Sequence, residues 1–71
     1  AMKRFDANDR VNHEHLGPGV VNEYINSMLD SRHVVAYIVK FDKTPAWEYN
    51  MGQNPCLVFP DKLSSEETIN E

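Results

Sequence analysis

Hydrophobic and polar side chains alternate most clearly in "HVVAYIVKF", residues 33–41. Val35, Tyr37, Val39 and Phe41 fall on one side of an extended chain there, and Val34, Ala36, Ile38 and Lys40 on the other. β-branched and aromatic residues at a period of two predict a strand, because such side chains pack well on a pleated surface. Upstream, "VVNEYINSML" sets Val21 and Ile25 against Asn22 and Asn26, and the polar "DSR" that follows suits a turn. Together the two segments predict a hairpin with strands at 20–28 and 33–41.

Shorter apolar runs flank this hairpin. "DRVNH" predicts a strand centred on Val11, with the Gly17-Pro18-Gly19 corner turning it into the next strand. "CLVFP", bounded by Pro55 and Pro60, is a fourth run, and Leu63 closes the core. The nearest helix candidate, residues 21–30, contains β-branched residues and asparagines that favour other conformations, so a helix there is the competing reading. The expected core is Val11, Leu16, Val21, Ile25, Val35, Tyr37, Val39, Phe41, Leu57, Phe59 and Leu63. In "CLVF" the inward pair is either Leu57 and Phe59 or Cys56 and Val58, since alternation alone does not say which face is buried.

Composition narrows the function classes. A chain of 71 residues allows one domain, and a domain of that size buries only about 60% of its unfolded surface. The expected division is an N-terminal arm at 1–8, with Ala1 before Met2 reading as a cloning remnant, a folded domain at 9–63, and a flexible acidic tail at 64–71. Eleven acidic against seven basic side chains, a net charge of -4, argue against a protein built to grip a phosphate backbone. Lys3, Arg4 and Arg10 around Phe5, with Lys40 and Lys43, still offer a local patch, so weak nucleic-acid binding is the alternative function. A single cysteine, Cys56, excludes an internal disulfide and a cysteine-rich zinc site and fits a reducing cytoplasm. In an apolar strand, burial would raise its pKa and silence it. No apolar run reaches the roughly 20 residues that a membrane-crossing helix needs, and the opening "AMKRFDANDR" lacks the apolar segment expected of a secretion signal.

Two stretches carry candidate chemistry. In "RVNHEHLGPGVV" a phosphate cradle is disfavoured, because Pro18 removes a donor and a strand rather than a helix follows. His13 and His15 share one side of an extended chain, and His33, Glu14 or Asp9 could complete a shell. Two imidazoles without a predictable third ligand do not specify a metal site, so no metal or other cofactor is expected. The turn reading requires only glycine freedom, a proline corner and Leu16 as a plug. Ser27, Ser31, Ser64 and Ser65 stand in no nucleophile turn, and His13 with Asp9 is a dyad without a nucleophile, so catalysis is not expected.

The second stretch, "DKTPAWEYNMGQNP", is rich in proline, glycine and asparagine yet carries Trp47, Tyr49 and Met51. Loops of this length are uncommon in small domains and are often functional. Trp, Tyr and Met are enriched at interface cores, which makes these three residues the candidate binding set. The competing expectation is that Trp47 and Tyr49 fold back as a lid over one open end of the core. Glu48 beside the aromatics would suit a cage for a methylated cation, whereas Tyr24 and Tyr37 read as strand residues.

"DRVNHEHLGPGVV", followed by a hairpin ending in "VKFD", resembles the small SH3-like, Tudor-like barrel of CarD-type transcription regulators. The same module occurs in transcription–repair coupling factors and at the C-terminus of some DNA repair helicases. Its pattern is an Asp, a Val, a His and then a Gly-x-Gly-x-Val turn, which Asp9, Val11, His13, Gly17, Gly19 and Val21 fit; Val39 and Phe41 match a later V-x-F strand end. The resemblance spans most of residues 9–63 and departs from the pattern in its longer proline-bracketed loop and extended first hairpin. It implies an all-β fold, a small SH3-like barrel of about five short antiparallel strands. It further implies a protein partner, with RNA polymerase as the one it points to, engaged through an open sheet edge. The size and freestanding character suit a phage or mobile-element accessory protein.

Overall fold

Each period-two segment forms a strand. The computed structural model describes residues 5–66, and in it β1 (Arg10–His13), β2 (Gly17–Asn26), β3 (Val34–Phe41), β4 (Cys56–Val58) and β5 (Leu63–Ser65) make one sheet. The strand order is β4-β3-β2-β1-β5 and every pairing is antiparallel. Consecutive strands are neighbours until β5, which returns beside β1 after a single 3-10 turn at Pro60–Lys62. This is a small all-β, barrel-like fold of five antiparallel strands around one core. The stretch weighed as a helix, 21–30, lies largely in the long central strand β2, where β-branched residues pack between β1 and β3.

Two register shifts decide which side chains face inward. Val21 pairs with Val39 but Glu23 pairs with Ile38, so Asn22 is an extra residue in β2; Ile25 pairs with Ala36 and Asn26 with Val34, which makes Val35 an extra residue in β3. An inserted residue exchanges the faces of everything beyond it, because the side-chain period is two. Ile25 and Val35, both expected in the core, are therefore exposed (37% and 39%), while Tyr24 is partly buried opposite Tyr37. In β4 the register sets Cys56 against Val39 and Val58 against Tyr37. That pair points inward, and the preferred expectation of Leu57 and Phe59 in the core is corrected: both are exposed.

The buried cluster is Phe5, Val11, Val21, Tyr37, Val39, Phe41, Cys56 and Val58, with Leu16, Tyr24, Val34 and Leu63 packed partly buried against it. Phe5 was expected in a cationic arm. Instead its ring meets Tyr37 edge-on at 5.7 Å and its N–H donates to the Tyr37 hydroxyl at 3.1 Å. The turn behind it is held by Asp9, whose carboxylate accepts the Asp6 N–H at 2.8 Å and whose carbonyl accepts the Val21 N–H. The folded unit thus starts before position 9. It also passes position 63, since Ser64 and Ser65 belong to β5 and Arg10 bonds the Glu66 carboxylate.

The chain reverses before the Gly-Pro-Gly corner rather than on it. His13 pairs with Gly17 across the loop 14–16, and Gly17, Pro18 and Gly19 are already strand. Gly17 takes the left-handed conformation (φ 83°) that a three-residue hairpin loop needs at its end. Gly19 is required for a different reason: a Cβ there would lie 2.7 Å from the Lys40 carbonyl oxygen. β2 and β3 approach too closely at that point for any side chain.

Candidate functional site

The β1–β2 turn is organised by an imidazole. His13 is buried (7% exposed), and its Nδ1 accepts the N–H groups of His15 at 3.1 Å and Leu16 at 3.2 Å. A side chain that accepts from the amides two and three residues ahead does the work that Asp or Asn does in many turns. With Nδ1 as acceptor, the neutral ring carries its proton on Nε2. Burial first, and then the neighbouring His15, push the His13 pKa below its ordinary 6.5. The ring meets Phe41 edge-on at 5.9 Å. Outside it, Glu14 pairs with Lys62 at 2.9 Å, which holds the Glu14 carboxyl below its usual range and raises the Lys62 ammonium. His13 Nδ1 is thus committed to the backbone. Among the described residues no group of three or more His, Cys, Asp or Glu is placed to hold a metal ion.

Against this turn lies the loop between β3 and β4. The Tyr49 ring stacks on His15, with centroids 6.4 Å apart and planes 21° from parallel. Beyond it, Asn50, Met51 and Gly52 all take positive φ (51°, 56° and 68°) in one tight turn. Left-handed backbone costs a side-chain-bearing residue roughly 1–2 kcal/mol, so the turn persists only where its surroundings impose it. The ties are explicit. Gly52 N–H donates to the Tyr49 carbonyl and Gln53 N–H to the Asn50 carbonyl, while the Asn50 amide reaches Gln53 Oε1 at 3.3 Å and Cys56 Sγ at 3.6 Å.

Asn54 fixes the far end. Continuing the Val39–Cys56 register brings Asn54 opposite Phe41. There the side chain replaces the backbone ladder, its Oδ1 accepting the Phe41 N–H at 2.8 Å and its Nδ2 donating to the Phe41 carbonyl at 2.9 Å. With Pro45 buried at the near end, the loop is tethered on both sides of its aromatic segment. What it displays is Trp47, 71% exposed, Met51, 58% exposed, and the outer part of Tyr49. The lid expectation is not met for Trp47, and the ring that completes the core comes from Phe5. The three candidate binding residues therefore share one tethered loop, with Trp47 and Met51 outward and Tyr49 half-exposed against His15.

Of the candidate cations, Arg10, Lys40 and Lys43 lie among the described residues. Arg10 donates to both oxygens of Asp42 (2.9 and 2.7 Å) and to both of Glu66 (2.9 Å each), so its charge is committed to two carboxylates. The pairing lowers both carboxyl pKa values and raises that of the guanidinium. Lys40 and Lys43 are exposed, and Lys3 and Arg4 lie outside the described residues.

Two further apolar surfaces escaped the sequence reading. Met28 and Leu29 stand almost fully exposed at the tip of the β2–β3 hairpin. A shallow groove of about 510 Å³ is lined by His33, Val34, Val35, Phe59, Pro60 and Asp61. The "DSR" turn signal implied that Met28 would end a strand, whereas β2 stops at Asn26; the groove depends on the β3 shift, which leaves no mark in the pattern. His15 as the loop's platform was equally hidden, since only the folded turn brings it to Tyr49. Comparison with known protein families, curated proteins and solved structures finds no match to this chain.

Proposed function

We propose that this chain is a non-enzymatic protein-interaction module that meets its partner through the 45–55 loop. The observation that carries the reading is the combination of a backbone held by the Tyr49–His15 stack and the Asn54 clamp with outward Trp47 and Met51. An anchor already ordered before binding loses less entropy on docking, and Trp and Tyr are the residues that most often dominate interface energies. The resemblance to CarD-type barrels extends the proposal to transcription or DNA-processing machinery, with RNA polymerase as the candidate partner and a phage or mobile-element accessory role as the setting. A lone, buried cysteine suits the cytoplasm. No helix among the described residues is long and apolar enough to cross a membrane.

Weak nucleic-acid binding, the alternative, draws less support because Arg10 is held by Asp42 and Glu66. The test is an affinity pull-down with a nuclease-treated control, followed by titration of the recovered partner. Replacing Trp47→Ala and Tyr49→Ala should weaken binding by about 2 kcal/mol or more, roughly thirtyfold, with the fold retained. Full affinity in the double variant would exclude the loop, and loss of all binding after nuclease would favour the alternative.

A further inference from the structure

The contacts of His13 reach both ends of the proposed binding loop. Through its Nδ1 it fixes the amides of His15 and Leu16, and His15 is the platform under Tyr49. Its ring also packs edge-on against Phe41, whose N–H and C=O are both held by Asn54. One buried imidazole thus supports the stacking contact directly and the asparagine clamp through the Phe41 ring. Both of its roles in the turn need a lone pair on Nδ1. A protonated imidazole has none, and its N–H would face two other N–H groups.

We propose that His13 is a proton-operated latch for the 45–55 loop: acidification breaks its two bonds to the turn, withdraws the His15 platform and frees Tyr49 from the barrel. This rests on the reading of that loop as the contact surface and adds regulation to it. A partner bound at neutral pH would be released as the medium turns acidic.

The charged and titratable neighbours are accounted for element by element. Glu14 and His15 lie on the same turn and Lys62 precedes β5; Gly17 of β2, Leu63 of β5 and Phe41 of β3 add no charge. Glu14 alone favours the protonated ring, and it is already paired with Lys62. The opening therefore begins at the turn, where the lost bonds lie, and leaves the β2–β3 ladder in place.

NMR on the whole chain tests this without a partner, between about pH 8 and pH 5, the range in which imidazoles titrate. Three signals are followed: the charge state of the His13 ring, the His15–Tyr49 ring contact, and exchange of the His15 and Leu16 amides relative to their intrinsic rates. The expected result is loss of the ring contact in step with protonation of His13. Opening of the two amides should be level above about pH 6.5 and rise below it by up to about tenfold per pH unit, as for a single proton, with the β2–β3 amides still protected. His15→Phe keeps an aromatic platform and removes the push of His15 on the His13 ring, so release should persist in step with His13 protonation, at the same or a somewhat higher pH. His13→Asn offers an oxygen to the same two amides and should hold the contact into acid; if it does not fold, wild type and His15→Phe decide alone. Ring contacts that outlast His13 protonation, release abolished by His15→Phe, or melting of the whole sheet at the same pH would each overturn the proposal.

Discussion

The hairpin tip at 27–33 and the loop at 42–55 both present large apolar side chains to solvent, but they are held in different ways. At the tip, every described bond is local: Ser27 N–H to the His33 carbonyl, Leu29 N–H to Ser27 Oγ, and the Arg32 and His33 N–H groups to Asp30. The aromatic loop is also tied beyond its own turn, to His15 of the β1–β2 turn by stacking and to Phe41 at the end of β3 by Asn54. Local bonds shape a turn, whereas ties to separate elements fix where the turn sits on the body. Exposure alone does not identify a binding surface; exposure on a backbone positioned by the core is the stronger sign.

The largest effect expected concerns the body that carries both loops. Gly19→Val forces a side chain into the 2.7 Å gap to the Lys40 carbonyl and should destabilise the fold by about 3 kcal/mol or abolish it, as read by urea unfolding. Unchanged stability would mean that β2 and β3 are not so close. Next comes Asn54→Ala, which strips both partners from the Phe41 backbone. It should cost about 2 kcal/mol and loosen the aromatic loop, seen as faster amide exchange at residues 50–53. An equal loosening at the hairpin tip would erase the distinction between the two loops.

Acid should act on one loop only. His13 has a folded-state pKa below that of the unfolded chain, so unfolding takes up a proton under acidic conditions. Its stabilising contribution is complete above about pH 6.5 and declines as pH falls below that value. In thermal melts His13→Asn should flatten this decline. The smallest effect is at the tip, where Met28→Ser with Leu29→Ser should leave stability within about 0.5 kcal/mol of the wild type, because both side chains are already in water.

The sequence made the architecture legible to the extent that alternation is uninterrupted. Tyr37, Val39 and Phe41 lie on one face as the pattern requires, and Val11 and Val21 join them. Where a strand carries an extra residue, at Asn22 or Val35, the pattern continues unbroken while the buried face switches, so Ile25 and Val35 were misplaced. The loop drew notice through Trp47, Tyr49 and Met51, but its direction depends on the clamp between its own Asn54 and Phe41 of β3 and on a histidine platform contributed by the β1–β2 turn. His13 was visible as a residue and not as a role: accepting two amides is a property of the folded turn. Phe5 was obscured by the charges around it.

Intrinsic fluorescence tests the central claim most directly, because Trp47 is the single tryptophan of the chain. With the ring outward, emission from the native protein should lie close to that of the unfolded chain, shift little in denaturant, and be quenched almost as readily by acrylamide or iodide. A blue-shifted emission, protected from quencher and moving to the red on unfolding, would place Trp47 inside as a cover for the core and contradict the account.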